Sequence, residues 1–297
     1  MAVIATGFFD GVHRGHRQVI QTLVSSAREK GEEAIVVTFM QHPRAVLQQD
    51  ARNLGLLSAP QEKEARLRAL GADRVEWLPF DRDFARLTAR EYIRDVLQAR
   101  FGARALVLGY DNRLGSDRLT PERIRPLADA LGLDVTVVPP LSAGTADADV
   151  SSTKIREALD RGDAEAAEAM LGYAYSLRGV VVGGKQLGRT LRYPTANLRL
   201  YDPMKMIPAR GVYLTEVGVL GRRHDGMTNV GDIIETHIFD FSEDIYGLDL
   251  SVTFRRRIRD GIRFDSLDAL KARLEADEAV CRALLGGERG QDCRFQK

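Results

Sequence analysis

Cysteine is scarce in this sequence, which has only Cys281 and Cys293 in 297 residues. Neither cysteine stands in a Cys-x-x-Cys pair or beside a histidine, so the spacing excludes the common zinc-ligand clusters. Two cysteines close to one end also cannot supply the disulfide framework of a small secreted domain. The cysteine content therefore indicates a protein of the reducing cytoplasm.

Long apolar runs and an excess of charge are missing as well. No apolar stretch approaches the roughly 20 residues that span a bilayer, and the opening residues MAVIATGFFDG lack the basic segment of a signal peptide. The formal net charge is +1, which argues against nucleic acid as the main partner, although local basic pockets can still bind small phosphates. We expect a cytoplasmic protein with no nucleic-acid partner and no membrane partner.

What is present is ordinary globular composition, with 44% hydrophobic and 29% charged residues, and a length that favours about two domains. In the first half, short apolar runs alternate with amphipathic stretches of ten or more residues, which predicts a mostly parallel sheet with helical crossovers. The predicted strands are Val3–Thr6, Ala34–Phe39, Arg74–Leu78, Ala105–Leu108 and Val135–Val138. The predicted helices are His16–Lys30, Gln61–Leu70, Thr88–Phe101 and Glu122–Leu131, followed by Ser152–Leu159 and Ala164–Leu171.

The pattern changes near residue 173, where β-rich segments follow one another without helical crossovers. The predicted strands are Leu177–Val182, Gly211–Val219, Ile233–Phe241 and Leu250–Ile258. Glycine-bearing turns separate them, which is typical of an antiparallel barrel or sandwich. Ser266–Leu285 has leucine and alanine at helical spacing and predicts a terminal helix.

The stretch Gly7–His16, GFFDGVHRGH, is the most informative one in the sequence. It follows a predicted strand and opens a helix, where glycines allow close backbone approach and the free N–H groups attract phosphate. His13 and His16 flank Gly15 and can both donate hydrogen bonds to one phosphate, and His42 follows the next strand. The alternative interpretation is a tight glycine turn with surface histidines.

Gly7–His16 resembles the His-x-Gly-His signature of the nucleotidyltransferase superfamily and, more narrowly, the bifunctional bacterial riboflavin kinase/FAD synthetase family. Two further segments resemble that family. Gly109–Gly115 stands where the family has Gly-x-Asp-Phe-x-Phe-Gly, with Asn112 and Leu114 in place of its aromatics. Val150–Arg156 contains the family's Ser-Ser-Thr-x-Ile-Arg, although by itself this segment also fits a plain helix N-cap.

The resemblance implies that the phosphate of FMN attacks the α-phosphate of ATP, giving FAD and pyrophosphate. By this resemblance His13 and His16 stabilise charge on the α-phosphate, Arg156 holds the ATP phosphates, and Mg²⁺ offsets the charge of the leaving pyrophosphate. The residues implied to bind ATP in this part are Gly7, Phe8, Asp10, Gly15, Asp111, Ser151, Ser152 and Thr153.

The second half carries Tyr193-Pro194-Thr195-Ala196-Asn197, which resembles the Pro-Thr-Ala-Asn motif of riboflavin kinases. The resemblance implies that Thr195 and Asn197 bind Mg²⁺ with the nucleotide, and that Glu235 is the base that takes a proton from the riboflavin 5′-hydroxyl. The glycine-rich turn before the motif is implied to bind ATP through Gly183, Lys185, Gly188 and Arg189. Taken singly, the motif also fits a proline turn, the glycines fit a hairpin, and Glu235 fits an exposed polar residue in an alternating strand.

Two features depart from the family. Arg192 stands where the family usually has glycine, and only Asp232, Ile233 and Ile234 separate Gly231 from Glu235, where the family has a longer connection. The prediction is an α/β plus all-β enzyme. A Rossmann-like FMN adenylyltransferase domain spans 1–172, and a riboflavin kinase domain with an antiparallel β-barrel and a terminal helix spans 173–297.

Two alternatives stay open at this stage. One is an FMN adenylyltransferase whose barrel binds flavin without kinase activity, which the short Gly231–Glu235 connection favours. The other is a non-catalytic flavin-binding protein, against which His13, His16 and Arg156 argue. The predicted small molecules are ATP as co-substrate, with riboflavin, FMN and FAD as substrates or products.

Overall fold

The computed structural model describes residues 1–42, 46, 55–141, 150–184 and 192–292, with the side chains of 287–292 excluded. The chain divides into two compact units, Met1–Lys154 and Ile155–Lys297. Lys185, Gly188 and Arg189, three of the predicted ATP-binding residues, lie outside the described residues.

The first unit is built on a parallel sheet of five strands in the order β3-β2-β1-β4-β5. The strands are β1 (Ala2–Thr6), β2 (Glu33–Phe39), β3 (Arg74–Leu78), β4 (Ala103–Gly109) and β5 (Asp134–Val138). The order reverses between β1 and β4, since the chain builds outward from β1 to β3 on one side and from β4 to β5 on the other. Ligands of open parallel sheets bind at the carboxyl ends of the strands at such a point.

Helices cover both faces of this sheet, as the predicted parallel arrangement requires. They are α1 (Arg14–Lys30), α2 (Pro60–Ala69), α3 (Ala89–Glu91), a π-helical segment (Tyr92–Gln98), α4 (Ala99–Phe101) and α5 (Pro121–Asp129). One face packs under α1 and α2, through residues such as Ile20, Leu23 and Leu67. The other packs under the π-helical segment and α5, through Ile93 and Ile124.

Two further helices follow the sheet, α6 (Ser152–Asp160) and α7 (Ala164–Leu171). The division between the two units falls at Lys154/Ile155, inside α6, so α7 belongs to the second unit. Within that unit Glu165 of α7 accepts a hydrogen bond of 2.6 Å from Arg256.

The second unit contains a closed barrel in the order β10-β7-β6-β11-β8-β9, with every neighbouring pair antiparallel. Its strands are β6 (Ser176–Val182), β7 (Ala196–Leu200), β8 (Gly211–Val219), β9 (Arg222–Val230), β10 (Ile234–Ile238) and β11 (Asp249–Arg259). The sequence predicted four of these strands and missed β7 and β9. The barrel, rather than a sandwich, is therefore the correct form of the all-β prediction.

The terminal helix α8 (Leu267–Asp292) packs on one face of β8 and β9. Asp277 of α8 is 1% exposed and accepts hydrogen bonds of 2.8 and 3.0 Å from Nε of Arg259 on β11. Cys281 is fully buried in the same contact, and burial raises the pKa of its thiol to about 12. A paired charge and a set of apolar contacts thus hold α8 on the barrel.

The short connection of β9 to β10 is a tight hairpin. Gly231 N–H donates to the carbonyl oxygen of Ile233 at 3.2 Å, and the strand pairing resumes at once, with Ile234 opposite Val230 and Glu235 opposite Asn229. The connection that departs from the family pattern therefore closes the ladder without disturbing the register of Glu235.

Candidate active sites

The first unit has a cavity of about 380 Å³ at the carboxyl ends of β1, β4 and β5. It adjoins the reversal of strand order between β1 and β4, where a ligand site is expected. The predicted residues that line it are Gly7, Phe8, His13, Gly15, His16, Asp111, Ser151, Ser152 and Thr153. Three segments far apart in the sequence thus meet at one cavity, as the resemblance implied.

The two histidines of the loop form a stacked pair at the start of α1. Their ring centroids are 3.6 Å apart and their planes differ by 19°. His13 is the N-cap residue, and its Nδ1 accepts a hydrogen bond of 3.4 Å from the backbone N–H of His16. In the neutral form of His13 this hydrogen bond places the ring proton on Nε2.

His16 is held neutral. Its pKa is lowered well below 6.5, first by burial, then by His13 and by the ammonium of Lys63. Its Nδ1 is buried and has no hydrogen-bond partner among the described residues. Gly15 permits the stacking, since a Cβ at this position would be 3.3 Å from Cε1 of His13. His16 thus lines the cavity as an imidazole without the cost of a buried charge.

Asp10 has a different position from the one predicted, because it is not among the residues that line the cavity. Its carboxylate accepts hydrogen bonds from the backbone N–H of Leu57 at 3.0 Å and of Ser58 at 3.2 Å. Ser58 Oγ in turn accepts from Gly11 N–H at 3.0 Å, and Ser152 Oγ donates to the Asp10 carbonyl at 3.1 Å. Asp10 therefore holds the loop rather than facing the cavity.

The segment after β4 supplies the opposite wall of the cavity through Tyr110, Asp111 and Asn112. Asn112, which replaces an aromatic residue of the family, donates from Nδ2 to the carbonyl oxygen of Thr6 at 3.1 Å and so joins the ends of β4 and β1. Leu114, the other replacement, is 6% exposed and packs in the core. Arg156 lies on α6, in the second unit.

The second unit has a cavity of about 290 Å³ beside the Pro-Thr-Ala-Asn segment. Thr195 lines it, together with the carboxylates Glu243 and Asp244 and with apolar residues of β6, β7, β10 and the segment after β10. These apolar residues are Val181, Ala196, Ile238, Phe241, Ile245 and Tyr246. Asn197 and Glu235 are not among the lining residues. The cavity thus combines an apolar wall with hydroxyl and carboxylate groups, a combination suited to a planar ligand that carries polar groups.

Asn197 and Glu235 are directly opposed in the pairing of β7 with β10. Opposed residues of an antiparallel pair share a face, with Cβ atoms about 5 Å apart. Asn197 is 6% exposed, and its Oδ1 is buried with no hydrogen-bond partner among the described residues. A buried amide oxygen without a partner, beside a carboxylate, suits an oxygen-preferring cation.

The neighbouring residues fix this pair. A Cβ at Gly184 would lie 1.7 Å from Nδ2 of Asn197, so only glycine fits here. Nδ1 of His237 lies 2.9 Å from the carbonyl oxygen of Pro194 and must be the donor, because that oxygen can only accept. Arg192 has a left-handed φ of 64°, which explains why glycine suits this position in the family.

Lys63, Gly184 and His237 were not predicted from the sequence. His237 could have been found, because strand alternation places it on the same face as Glu235. Gly184 adjoins the predicted Gly183, but no sequence signal separates the one that touches Asn197 from its neighbour. Lys63 stands in an ordinary charged helix, where nothing in the sequence marks a buried lysine.

Comparison with known proteins agrees with this division into two sites. A family model for FAD synthetase matches residues 1–154, and a family model for riboflavin kinase matches residues 171–285. The bifunctional riboflavin kinase/FMN adenylyltransferase of Escherichia coli K12 is 35% identical over 295 residues, 96% of this chain and 93% of that protein. The Bacillus subtilis protein of the same description is 32% identical over 291 residues, 93% and 90% of the two chains.

A crystal structure described as a macrolide-efflux protein from Streptococcus pneumoniae is also similar. It is 36% identical, with a TM-score of 0.88 over 95% of this chain and 93% of that one. In the part of our chain that the structure describes, no helix is both long and apolar enough to cross a membrane. From the two matched models and the near full-length relatives, this chain belongs to the family of bifunctional riboflavin kinase/FMN adenylyltransferases, which are ATP-dependent transferases.

Proposed function

We propose that the two cavities divide the two reactions of the family. The N-terminal cavity joins FMN to the adenylyl group of ATP, and the C-terminal cavity transfers the γ-phosphoryl group of ATP to riboflavin. We assign the first reaction to residues 1–172 and the second to 173–297, in the cytoplasm. The stacked His13–His16 pair in the cavity at the start of α1 is the main observation in support.

In adenylyl transfer, a phosphate oxygen of FMN forms a bond to the α-phosphorus of ATP and pyrophosphate leaves. The nucleophile is already ionised, so the protein's task is to position the two phosphates and to stabilise charge at the α-phosphate. Nε2–H of His13 and the ring of His16 would donate to that phosphate. Ser151 and Thr153 line the same cavity and would bind phosphate oxygens, with Arg156 as a further phosphate ligand.

Replacement of His16 by alanine tests this assignment. Loss of one donor to the transition state costs about 10²–10³-fold in rate, so we expect His16→Ala to lose FAD formation by that factor. FMN formation from riboflavin should be unchanged, because Thr195, Asn197 and Glu235 all lie in the other unit. Chromatography of the flavins after incubation with Mg-ATP measures both. Near-normal FAD formation would remove His16 from the mechanism.

In phosphoryl transfer, the 5′-oxygen of riboflavin forms a bond to the γ-phosphorus and ADP leaves. Glu235 would take the hydroxyl proton, and ATP would occupy the cavity beside Thr195, with its base against the apolar wall. The fit to Mg²⁺ rests on Asn197, whose buried Oδ1 lacks a partner among the described residues. Asn197 and Thr195 would hold the cation, which supplies charge neutralisation for the nucleotide phosphates when bound.

Replacement of Glu235 by glutamine tests the kinase assignment. The amide cannot take the proton, so we expect phosphorylation of riboflavin to be lost while the same protein still converts supplied FMN to FAD. Glu216→Gln is the matched control, because Glu216 is a barrel carboxylate on β8 that pairs with Arg255 at 2.9 Å and lies opposite Asp225 rather than Asn197. Wild-type phosphorylation by Glu235→Gln would show that another group is the base.

The unmodified protein also decides between the bifunctional assignment and an adenylyltransferase with an inactive barrel. The tight Gly231–Ile233 turn leaves Glu235 opposite Asn197, which supports the bifunctional assignment. If the protein makes FAD from FMN but no FMN from riboflavin, the single-activity alternative is correct.

A further inference from the structure

Lys63 of α2 is a buried cation with no role in the assignments above. It is 3% exposed, and its Nζ donates hydrogen bonds to the carbonyl oxygen of Phe8 at 2.8 Å and to Oγ1 of Thr38 at 3.2 Å. The ammonium also lies 3.9 Å from the centroid of the Phe8 ring and 4.7 Å from that of Trp77. A buried ammonium is costly unless its donors are satisfied, so these contacts fix the lysine and the groups it touches.

The loop that Lys63 contacts is strained. Phe9 and Val12 have left-handed φ angles of 51° and 41°, which are unfavourable for any side chain and most of all for a β-branched one. Such conformations persist only where the surroundings hold them. The Phe8 carbonyl belongs to the peptide that enters Phe9, so the hydrogen bond from Lys63 restrains the first strained residue.

A second set of contacts reaches the loop from the same part of the chain. Asp10, between the two strained residues, binds the backbone N–H groups of Leu57 and Ser58. Residues 57–63, which we call the backing segment, therefore hold the loop at two places. The cavity side of the loop carries Phe8, His13 and His16.

We propose that Lys63 is a positioning residue for adenylyl transfer: it holds Gly7–His16 in the strained conformation that presents the histidine pair to phosphate, and its charge favours the anionic substrates. The inference rests on the proposed function of the N-terminal cavity. The electrostatics agree with it. Burial lowers the pKa of Lys63 to about 8, against the opposing effect of Asp10, so the ammonium is retained at neutral pH.

Lys63→Met tests the proposal, because methionine keeps the packing against the two rings but removes the charge and the donors. Misplacement of a reacting group by about 1 Å can cost about 10²-fold, so we expect kcat for FAD formation from FMN to fall by about that factor. FMN formation from riboflavin should not change. Lys30→Met is the control, since Lys30 is an exposed lysine of the same unit, paired with Asp134 at 2.7 Å.

A pH profile separates positioning by charge from simple packing. The charged or titratable groups around Lys63 are Asp10 on the loop and His16 on α1, with Glu62 and Glu64 beside it on α2. Wild-type kcat for FAD formation should fall as the pH rises through about 8, where Lys63 loses its proton. Lys63→Arg keeps the charge and should retain activity at pH 9.

Three results would overturn the proposal. One is a wild-type kcat in Lys63→Met while His16→Ala is impaired. Another is an equal loss of FAD and FMN formation in Lys63→Met, which would place the lysine in folding alone. The third is that Lys63→Met and Lys63→Arg lose the same fraction of kcat for FAD formation and show the same dependence on pH. If His16→Ala forms FAD at the normal rate, the proposed function of the N-terminal cavity is wrong. This result is distinct from a failure of the Lys63 proposal, which is tested by the Lys63 variants.

Discussion

At the scale of single residues, the proposed kinase site contains a close contact between a glycine and an asparagine. Gly184 lies against the side chain of Asn197, whose Oδ1 is the buried oxygen without a partner among the described residues. The backbone at Gly184, just after β6, thus packs against the side chain of the proposed metal ligand Asn197. Any side chain at Gly184 must displace either this backbone or the amide of Asn197.

We expect Gly184→Ala to abolish phosphorylation of riboflavin and to leave FAD formation from FMN intact. A Cβ would lie 1.7 Å from Nδ2 of Asn197, so the amide must move. Gly261→Ala is the matched control, since a Cβ there meets nothing within 4 Å. Initial rates of FMN formation measure the effect. Normal kinase activity in Gly184→Ala would show that the position of Asn197 is not critical.

At the residue scale, the motif in Gly7–His16 pointed to residues that line one cavity, and their roles stay predictions; groups that only the fold brings near were missed. Gly7, Phe8, His13, Gly15 and His16 line the first cavity as the resemblance implied. Asp10 turned out to bind the backing segment, because its carboxylate lies next to the N–H groups of Leu57 and Ser58. Those partners are 47 and 48 residues away in sequence, beyond any local pattern.

At the scale of elements, the side chain of His237 on β10 adds a hydrogen bond to the segment before β7, beyond the backbone hydrogen bonds that pair the two strands. Pro194 has no N–H, so the ladder cannot continue through it, and Nδ1 of His237 donates to the Pro194 carbonyl instead. This bond lies one residue before Thr195. His237 therefore fixes the approach of the proposed metal ligands to Glu235.

We expect His237→Leu to lower FMN formation about threefold to tenfold, through a higher KM for Mg-ATP, because an exposed hydrogen bond contributes about 0.5–1.5 kcal/mol net. His237→Asn can place an amide N–H near the position of Nδ1 and should retain more activity. Steady-state kinetics of FMN formation from riboflavin, with Mg-ATP varied, distinguish His237→Leu from His237→Asn. Equal rates in the two variants and the wild type would mean that the hydrogen bond does not position the segment.

The contact of α8 with β11 gives a prediction for stability. Asp277→Ala leaves Arg259, whose side chain is 11% exposed, without its carboxylate, and loss of one partner of a buried pair costs about 3–5 kcal/mol. Glu275→Ala on the same helix removes an exposed pair at 3.9 Å and should cost less than about 1 kcal/mol. Urea unfolding of both variants measures the difference. Similar midpoints would show that the buried pair is dispensable.

The helices and strands that were predicted from the sequence were those with a clear pattern of apolar residues. The helices of the first unit and its five strands were predicted within a few residues. The three central strands, β1, β2 and β4, are nearly continuous apolar runs, as is typical of buried parallel strands. β9 was missed because it begins Arg-Arg and buries a polar residue, Thr228, whose hydroxyl bonds Thr215 at 3.0 Å and Thr236 at 2.9 Å. β7 was missed because its first two residues, Ala196 and Asn197, belong to a motif that also fits a proline turn.

At the scale of the whole molecule, the residues that line the two cavities lie in separate units. Each variant that disables one cavity should therefore leave the other active. FMN, the product of one reaction and a substrate of the other, links the two. We expect an equimolar mixture of His16→Ala and Glu235→Gln to convert riboflavin to FAD, with FMN released by the first protein and used by the second.

The double variant at the same total concentration is the control and should form neither FMN nor FAD. A time course of the three flavins in the mixture should show FMN rising before FAD. If each single variant keeps its remaining activity but the mixture makes no FAD, FMN is not released between the two reactions.

The buried thiol of Cys281 has a practical consequence for kinetics. A thiol with a pKa of about 12 that is fully buried reacts with alkylating reagents only when α8 leaves the barrel. With Cys293 replaced by serine, the alkylation rate at saturating reagent equals the opening rate of this contact. The alkylation rate of Cys281 thus reports how often α8 leaves the barrel, and this rate can be measured with and without nucleotide.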